Sequence, residues 1–191
     1  MYQIAPSGWL IDIDHYPSPN FNQRPADTEI DLLVIHAISL PPGQFGGQAI
    51  IDFFLNQLDS NAHPYFEHIR DLQVSSHFLI DRCGKLIQFV ATQHRAWHAG
   101  QSCFDGKPNC NDYSVGIELE GTADQAFTDA QYQQLVRLTL SLQSYYPAIT
   151  MERISGHQHI APDRKWDPGP HFNWSRYLKE LQNAKTKNYG N

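Results

Sequence analysis

Residues 156–170 read Gly-His-Gln-His-Ile-Ala-Pro-Asp-Arg-Lys-Trp-Asp-Pro-Gly-Pro, so imidazoles, a lysine and carboxylates crowd into one short stretch. Its prolines and glycines argue against an ordinary helix or a central strand, because proline lacks a donor and glycine favours strained turns. Loop geometry must therefore hold the polar side chains. Zinc takes neutral imidazole nitrogen and carboxylate oxygen in a tetrahedral set, which makes His157 and Asp167 candidate ligands. A third candidate is His36, which directly follows the apolar run Leu32-Leu33-Val34-Ile35. An ionisable ring at the end of a buried strand needs a hydrogen bond or a metal, so it is either a satisfied core histidine or a ligand. Together the three supply two nitrogens and one oxygen, leaving a zinc ion a fourth position for water, as catalytic rather than structural sites do. The set is dispersed, with no His-Glu-x-x-His motif to announce it.

Two further side chains suit the same chemistry. Glu118 alternates with Val115, Ile117 and Leu119, so it either faces solvent on an antiparallel strand or enters a cleft as the acceptor of a proton from water. Glu120, on the same face, is placed to orient a neighbour. Lys165 is either a solvated lysine or an ammonium aimed at the oxyanion of a tetrahedral intermediate. Trp97 is either core or an apolar wall against a sugar. His15, His63, His68, His94, His159 and His171 show no second feature and receive no metal role.

Strands and helices must bring these positions together. Residues 32–35 read as a strand buried on both faces. The spacing of Ile50, Ile51, Phe53, Phe54, Leu55 and Leu58 predicts an amphipathic helix over 47–58. Residues 77–80 and 86–90 read as a hairpin around Asp81-Arg82-Cys83-Gly84-Lys85, and residues 114–120 as a third strand. Thr128 and Gln131 form a capping box for a helix that ends before Pro147, and Asn173 caps a last helix through Leu181. Residues 182–191 are polar and expected to fray. The order predicts an α/β chain in which a mixed sheet is flanked by helices, with the site near strand ends.

Composition sets the bounds. A chain of 191 residues, 41% hydrophobic, supports one core and favours a single domain over 1–191. With 14 Lys+Arg against 20 Asp+Glu and no basic run, nucleic acid is not an expected partner. Three cysteines make no disulfide framework. No secretory signal and no run of about 20 apolar residues is visible, so a cytoplasmic protein with no membrane partner is expected.

The blocks Gly8-Trp9-Leu10, Leu33-Val34-Ile35-His36, Ala62-His63-Pro64-Tyr65-Phe66, Arg95-Ala96-Trp97-His98-Ala99-Gly100, Cys110-Asn111-Asp112, Gly116 to Thr122 and Gly156 to Pro170 run in order along the chain. They resemble the AmpD family of bacterial cytoplasmic 1,6-anhydro-N-acetylmuramyl-L-alanine amidases, within the amidase and peptidoglycan-recognition fold. The resemblance implies a Zn2+ site at His36, His157 and Asp167, with Glu118 as proton acceptor and Lys165 as transition-state stabiliser. It also places Tyr65, His77 and Trp97 in or beside the substrate pocket. It implies cleavage of the lactyl–L-alanine amide of anhydromuramyl-peptides in wall recycling, with a link to control of β-lactamase induction; the chain is expected to be a monomer. A broader cell-wall amidase and a non-catalytic peptidoglycan-binding module are the alternatives. Three positions depart from the family pattern: Ala37 stands where asparagine is frequent, Gln73 where arginine is, and Trp166 where a smaller residue is.

Overall fold

The computed structural model describes residues 1–189. In chain order its strands are β1 (Asp14–His15), β2 (Phe21–Asn22), β3 (Leu32–Ile38), β4 (Phe78–Ile80), β5 (Leu86–Gln88), β6 (Arg95–Ala96), β7 (Cys103–Phe104), β8 (Lys107–Pro108), β9 (Ser114–Glu120) and β10 (Ile154–Gly156). The helices are α1 (Ala49–Phe54), α2 (Pro64–Ile69), α3 (Asp129–Tyr145), α4 (His157–Ile160) and α5 (Trp174–Tyr189). Six strands form one mixed sheet in the order β1-β5-β4-β9-β3-β10, antiparallel only between β4 and β5. The expected mixed sheet with flanking helices is what the chain forms.

Parallel strands at the centre of a sheet are covered on both faces, which explains the near-continuous apolar sequences of β3 and β9. On one face Leu33, Ile35, Phe78, Val115, Ile117 and Leu119 pack against Leu135, Leu138 and Leu142 of α3 and Tyr177 and Leu181 of α5. On the other, Leu79, Ile87 and Phe89 meet Ile50, Phe53 and Phe54 of α1 and Phe66 and Ile69 of α2, while Leu32 and Val34 pack with Ala99, Tyr113 and Ile160. β9 is thus a central parallel strand, not an antiparallel one with a solvent face. Its even-numbered residues point to the side opposite α3, where the site lies.

Other expectations are corrected in detail. The helix predicted over 47–58 spans only Ala49–Phe54, because Asn56 adopts a left-handed φ of 59° that ends the helical path. A second helix, α2, starts where His63 Nδ1 accepts from Tyr65 N–H at 3.1 Å and Pro64 occupies the first turn. Glycine and proline in residues 156–170 do not exclude one helical turn, since α4 fits between Gly156 and Pro162. Part of the segment expected to fray, residues 182–191, belongs to α5, which continues to Tyr189, with Leu181 buried and Ala184 against the core. Gly190 and Asn191 lie outside the described residues. The Thr128 capping box is present, with Gln131 N–H donating to Thr128 Oγ1 at 3.1 Å.

Candidate metal centre

His36 and Glu118 are direct partners in the β3–β9 register, on the face of the sheet away from α3 and α5. Gly156 pairs with Ile35, so His157 follows immediately at the carboxyl end of β10. Asp167 returns on the loop after α4, fixed by Gln158 N–H donating to its carbonyl at 2.7 Å. His36, His157 and Asp167 are 1%, 2% and 5% exposed. His36 Nδ1 lies 2.9 Å from His157 Nδ1 and 3.2 Å from Asp167 Oδ2, and His157 Nδ1 lies 3.1 Å from the same oxygen.

The protons on these rings are set by their outer partners. His157 Nε2 lies 3.1 Å from the Ala99 carbonyl, which only accepts, so Nε2 carries a proton and, in the neutral ring that a metal requires, the lone pair is on Nδ1. On the other side, Ser114 Oγ–H donates to the Cys110 carbonyl at 2.5 Å and therefore accepts from His98 Nε2–H at 3.1 Å. His98 Nδ1 is then bare and accepts from His36 Nε2–H at 2.9 Å, which leaves His36 Nδ1 bare as well. With both rings neutral, three lone-pair atoms face one another in a buried space. That arrangement is repulsive unless a cation sits among them, and the two-nitrogen, one-oxygen donor set suits zinc. Burial first, and then His157, lower the His36 pKa to about 4, keeping the ring neutral as a ligand must be.

The centre opens into a pocket of about 360 Å³ lined by Glu118, Lys165, His157 and Asp167, with Tyr65, Trp97 and Trp166 among its aromatic residues. Glu118 Oε2 is buried without a hydrogen-bond partner. Burial, and secondarily Asp167, raise its pKa well above the ordinary carboxyl value, and Lys165 offsets part of that rise. Such a group is poised to exchange protons rather than to form a structural ion pair. Trp97 is oriented by Nε1–H donating to Asn22 Oδ1 at 2.9 Å. Tyr65 and Trp166 are 37% and 48% exposed, and the Trp166 ring lies over Gly169. Ala37 also contributes to the lining, whereas Gln73 faces a neighbouring depression.

His77 is in a different position from the other two supporting candidates. It is fully buried behind the pocket, its Nδ1 accepting from Gly116 N–H at 3.0 Å and its Nε2–H donating to the His94 carbonyl at 3.0 Å. Arg24 sits beside it and donates to the carbonyls of Asn111, Asp112, Thr92 and Ser114, its pKa lowered to about 10 by burial. Glu120 accepts from Gly46 N–H at 2.6 Å and Arg82 N–H at 3.1 Å, clamping the loop after β3 to the β4–β5 turn. Sequence reasoning passed over His98, Ser114 and Gly116. Only Gly116, a glycine inside a strand pattern, carried a local sign of a close approach.

Comparison with known proteins gives the geometry its relatives. A family model described as N-acetylmuramoyl-L-alanine amidase matches residues 26–170. The 1,6-anhydro-N-acetylmuramyl-L-alanine amidase AmpD of Citrobacter freundii is 53% identical over 174 residues, covering 91% of this chain and 92% of that protein. The crystal structure of a Se-Met AmpD derivative superposes with a TM-score of 0.89 at 50% identity, covering 94% of this chain and 99% of the other. AmiD from E. coli, in complex with the substrate anhydro-N-acetylmuramic acid-L-Ala-D-gamma-Glu-L-Lys, matches with a TM-score of 0.60 at 31% identity, over 84% of this chain and 61% of that one.

Proposed function

Because the chain belongs to the AmpD branch of the N-acetylmuramoyl-L-alanine amidase family, we propose that it hydrolyses the amide between anhydro-N-acetylmuramic acid and the L-alanine of peptidoglycan fragments in wall recycling. The observation that carries this reading is the convergence of His36 Nδ1, His157 Nδ1 and Asp167 Oδ2 beside a buried, unpartnered carboxyl oxygen in one pocket. His36 Nδ1, His157 Nδ1 and Asp167 Oδ2 would hold zinc, which supplies Lewis acidity and makes water acidic enough to attack near neutral pH.

The chain's own groups do the rest. Beside a cation held by the three ligands the Glu118 pKa would fall again and the carboxyl would be ionised, so that Glu118 takes the proton of the attacking water and returns it to the departing amine of L-alanine, which leaves neutral. Lys165 places its ammonium toward the oxygen on which negative charge develops. Tyr65, Trp97 and Trp166 offer aromatic faces to the sugar and the peptide stem. His77 supports the strand rather than the substrate.

We place this single amidase domain, residues 1–191, in the cytoplasm as a monomer. The free thiols of Cys83, Cys103 and Cys110 agree with a reducing compartment. Among the described residues no helix is long and apolar enough to cross a membrane. Consumption of muropeptides by this activity would connect it to control of β-lactamase induction. The test is to incubate zinc-quantified protein with anhydromuramyl-peptide and, separately, with intact peptidoglycan, and to identify the products by mass. Release of free stem peptide from the fragment is the expected result. Cleavage of the polymer alone would assign a broader wall amidase, and no cleavage of either a binding module.

A further inference from the structure

We propose that His98 is a positioning residue, which fixes His36 in the one tautomer and orientation able to ligate the metal. The inference rests on reading His36, His157 and Asp167 as a zinc site. Its own support is a directed chain of hydrogen bonds that ends on a backbone carbonyl. The Cys110 carbonyl can only accept, so Ser114 Oγ–H points to it at 2.5 Å. That leaves the Ser114 oxygen as acceptor for His98 Nε2–H at 3.1 Å, and His98 Nδ1 as acceptor for His36 Nε2–H at 2.9 Å. Each link removes the freedom of the next.

The strand is built around this ring. Ser114, Gly116 and Glu118 are successive residues on the site face of β9, and His98 occupies the space where a side chain at position 116 would stand. A Cβ added to Gly116 would lie 2.6 Å from both Cγ and Nδ1 of His98, far inside contact distance. The main chain of residues 98 and 99 is pinned as well, since both amides donate to Asn111 Oδ1, at 3.1 and 2.7 Å. The His36 and His98 rings meet edge to face, with centroids 5.0 Å apart. A glycine, a hydroxyl and an asparagine thus converge on holding one imidazole nitrogen against His36. Partners of this kind, which orient a ligating histidine, typically change metal affinity by about 10–100-fold when removed.

Asparagine and glutamine separate this role from simple space filling. The Oδ1 of asparagine stands where Nδ1 of histidine stands, whereas the polar atoms of glutamine lie further out, near Nε2. Zinc affinity of the intact chain, measured by competition with a chromogenic chelator, is expected to stay within about threefold of the parent in His98→Asn and to fall about 10–100-fold in His98→Gln and His98→Ala. An alanine variant that binds zinc as the parent does, or an asparagine variant as weak as glutamine, would overturn the role. If the alanine variant fails to fold, the contrast between the two amides still decides. A parent protein that binds no zinc would instead sink the zinc reading itself, which keeps the two failures apart.

Discussion

At the level of single residues, Glu118 is where stability and chemistry oppose each other. Its carboxyl is lifted well above the ordinary 4.5 by burial and by Asp167, with Lys165 pulling the other way. The folded chain therefore keeps a proton that the unfolded chain releases as pH rises above 4.5, and folding weakens with rising pH until the folded group also ionises. Glu118→Gln removes that dependence. The metal-free variant is expected to melt at a higher temperature than the parent at pH 8, by calorimetry. Its zinc content should be unchanged and its kcat lower by about 10²–10⁴-fold, the usual contribution of a positioned proton carrier. A variant that releases stem peptide at the parent's rate would remove Glu118 from the mechanism. The three candidate ligand positions stood out because a histidine directly after an apolar run and a histidine–aspartate loop are local signals. His98 was not, because its partners Ser114 and His36 are 16 and 62 residues away and the sequence gives no sign of their meeting.

Among the elements, β9 contributes a hydroxyl anchor at Ser114, a gap at Gly116, a carboxyl at Glu118 and a loop clamp at Glu120, all on one face. Gly116→Ala is expected to displace the His98 ring, because the new Cβ would stand 2.6 Å from it. Zinc affinity should fall about 10-fold or more, while far-ultraviolet circular dichroism keeps its shape. Unchanged affinity would mean the ring moves aside at no cost to His36. The elements that sequence patterns found were those whose signals are local: the Thr128 capping box, the hairpin around Gly84, and the apolar run of β3. Those it missed were decided by distant contacts. β1, two residues long, exists only by pairing with β5, and α5 runs past Leu181 with Ala184 still packed against the core. The parallel setting of β9 was hidden because alternation on paper looks the same whether the second face meets water or a pocket. α2 was the avoidable miss, since proline at a first helical turn is a recognised start signal.

For the whole molecule, buried neutral imidazoles set the response to acid. The pKa values of His36 and His77 are lowered to about 4 and about 3, and that of His98 lies well below 6.5, in each case chiefly through burial. Unfolding lets these rings take up protons once pH falls below 6.5, so stability is fully present above that value and is lost as pH drops toward 4. Glu118 works in the opposite sense, but three rings outnumber one carboxyl. The urea midpoint of the metal-free protein should therefore fall steadily from pH 7 to pH 5, and a flat profile would contradict the buried-neutral assignment. Zinc removal should act through the loop. Because zinc would join β3 to residues 157–167, chelation should raise amide exchange there more than in α3, and at free zinc a thousandfold above Kd the bound form should gain about 4.1 kcal/mol. Equal exchange in loop and helix would mean the loop is held by its own hydrogen bonds alone. The wide separation of the ligands along the chain, with His36 in an early strand and Asp167 in a late loop, also bears on biosynthesis. A growing polypeptide presents its first candidate ligand long before its last, so metal capture is deferred until the segment carrying Asp167 has been made. In a series of stalled nascent chains, tightly held zinc should appear only after Asp167 has cleared the ribosome, so that capture of the ion would report that the two halves of the site have met.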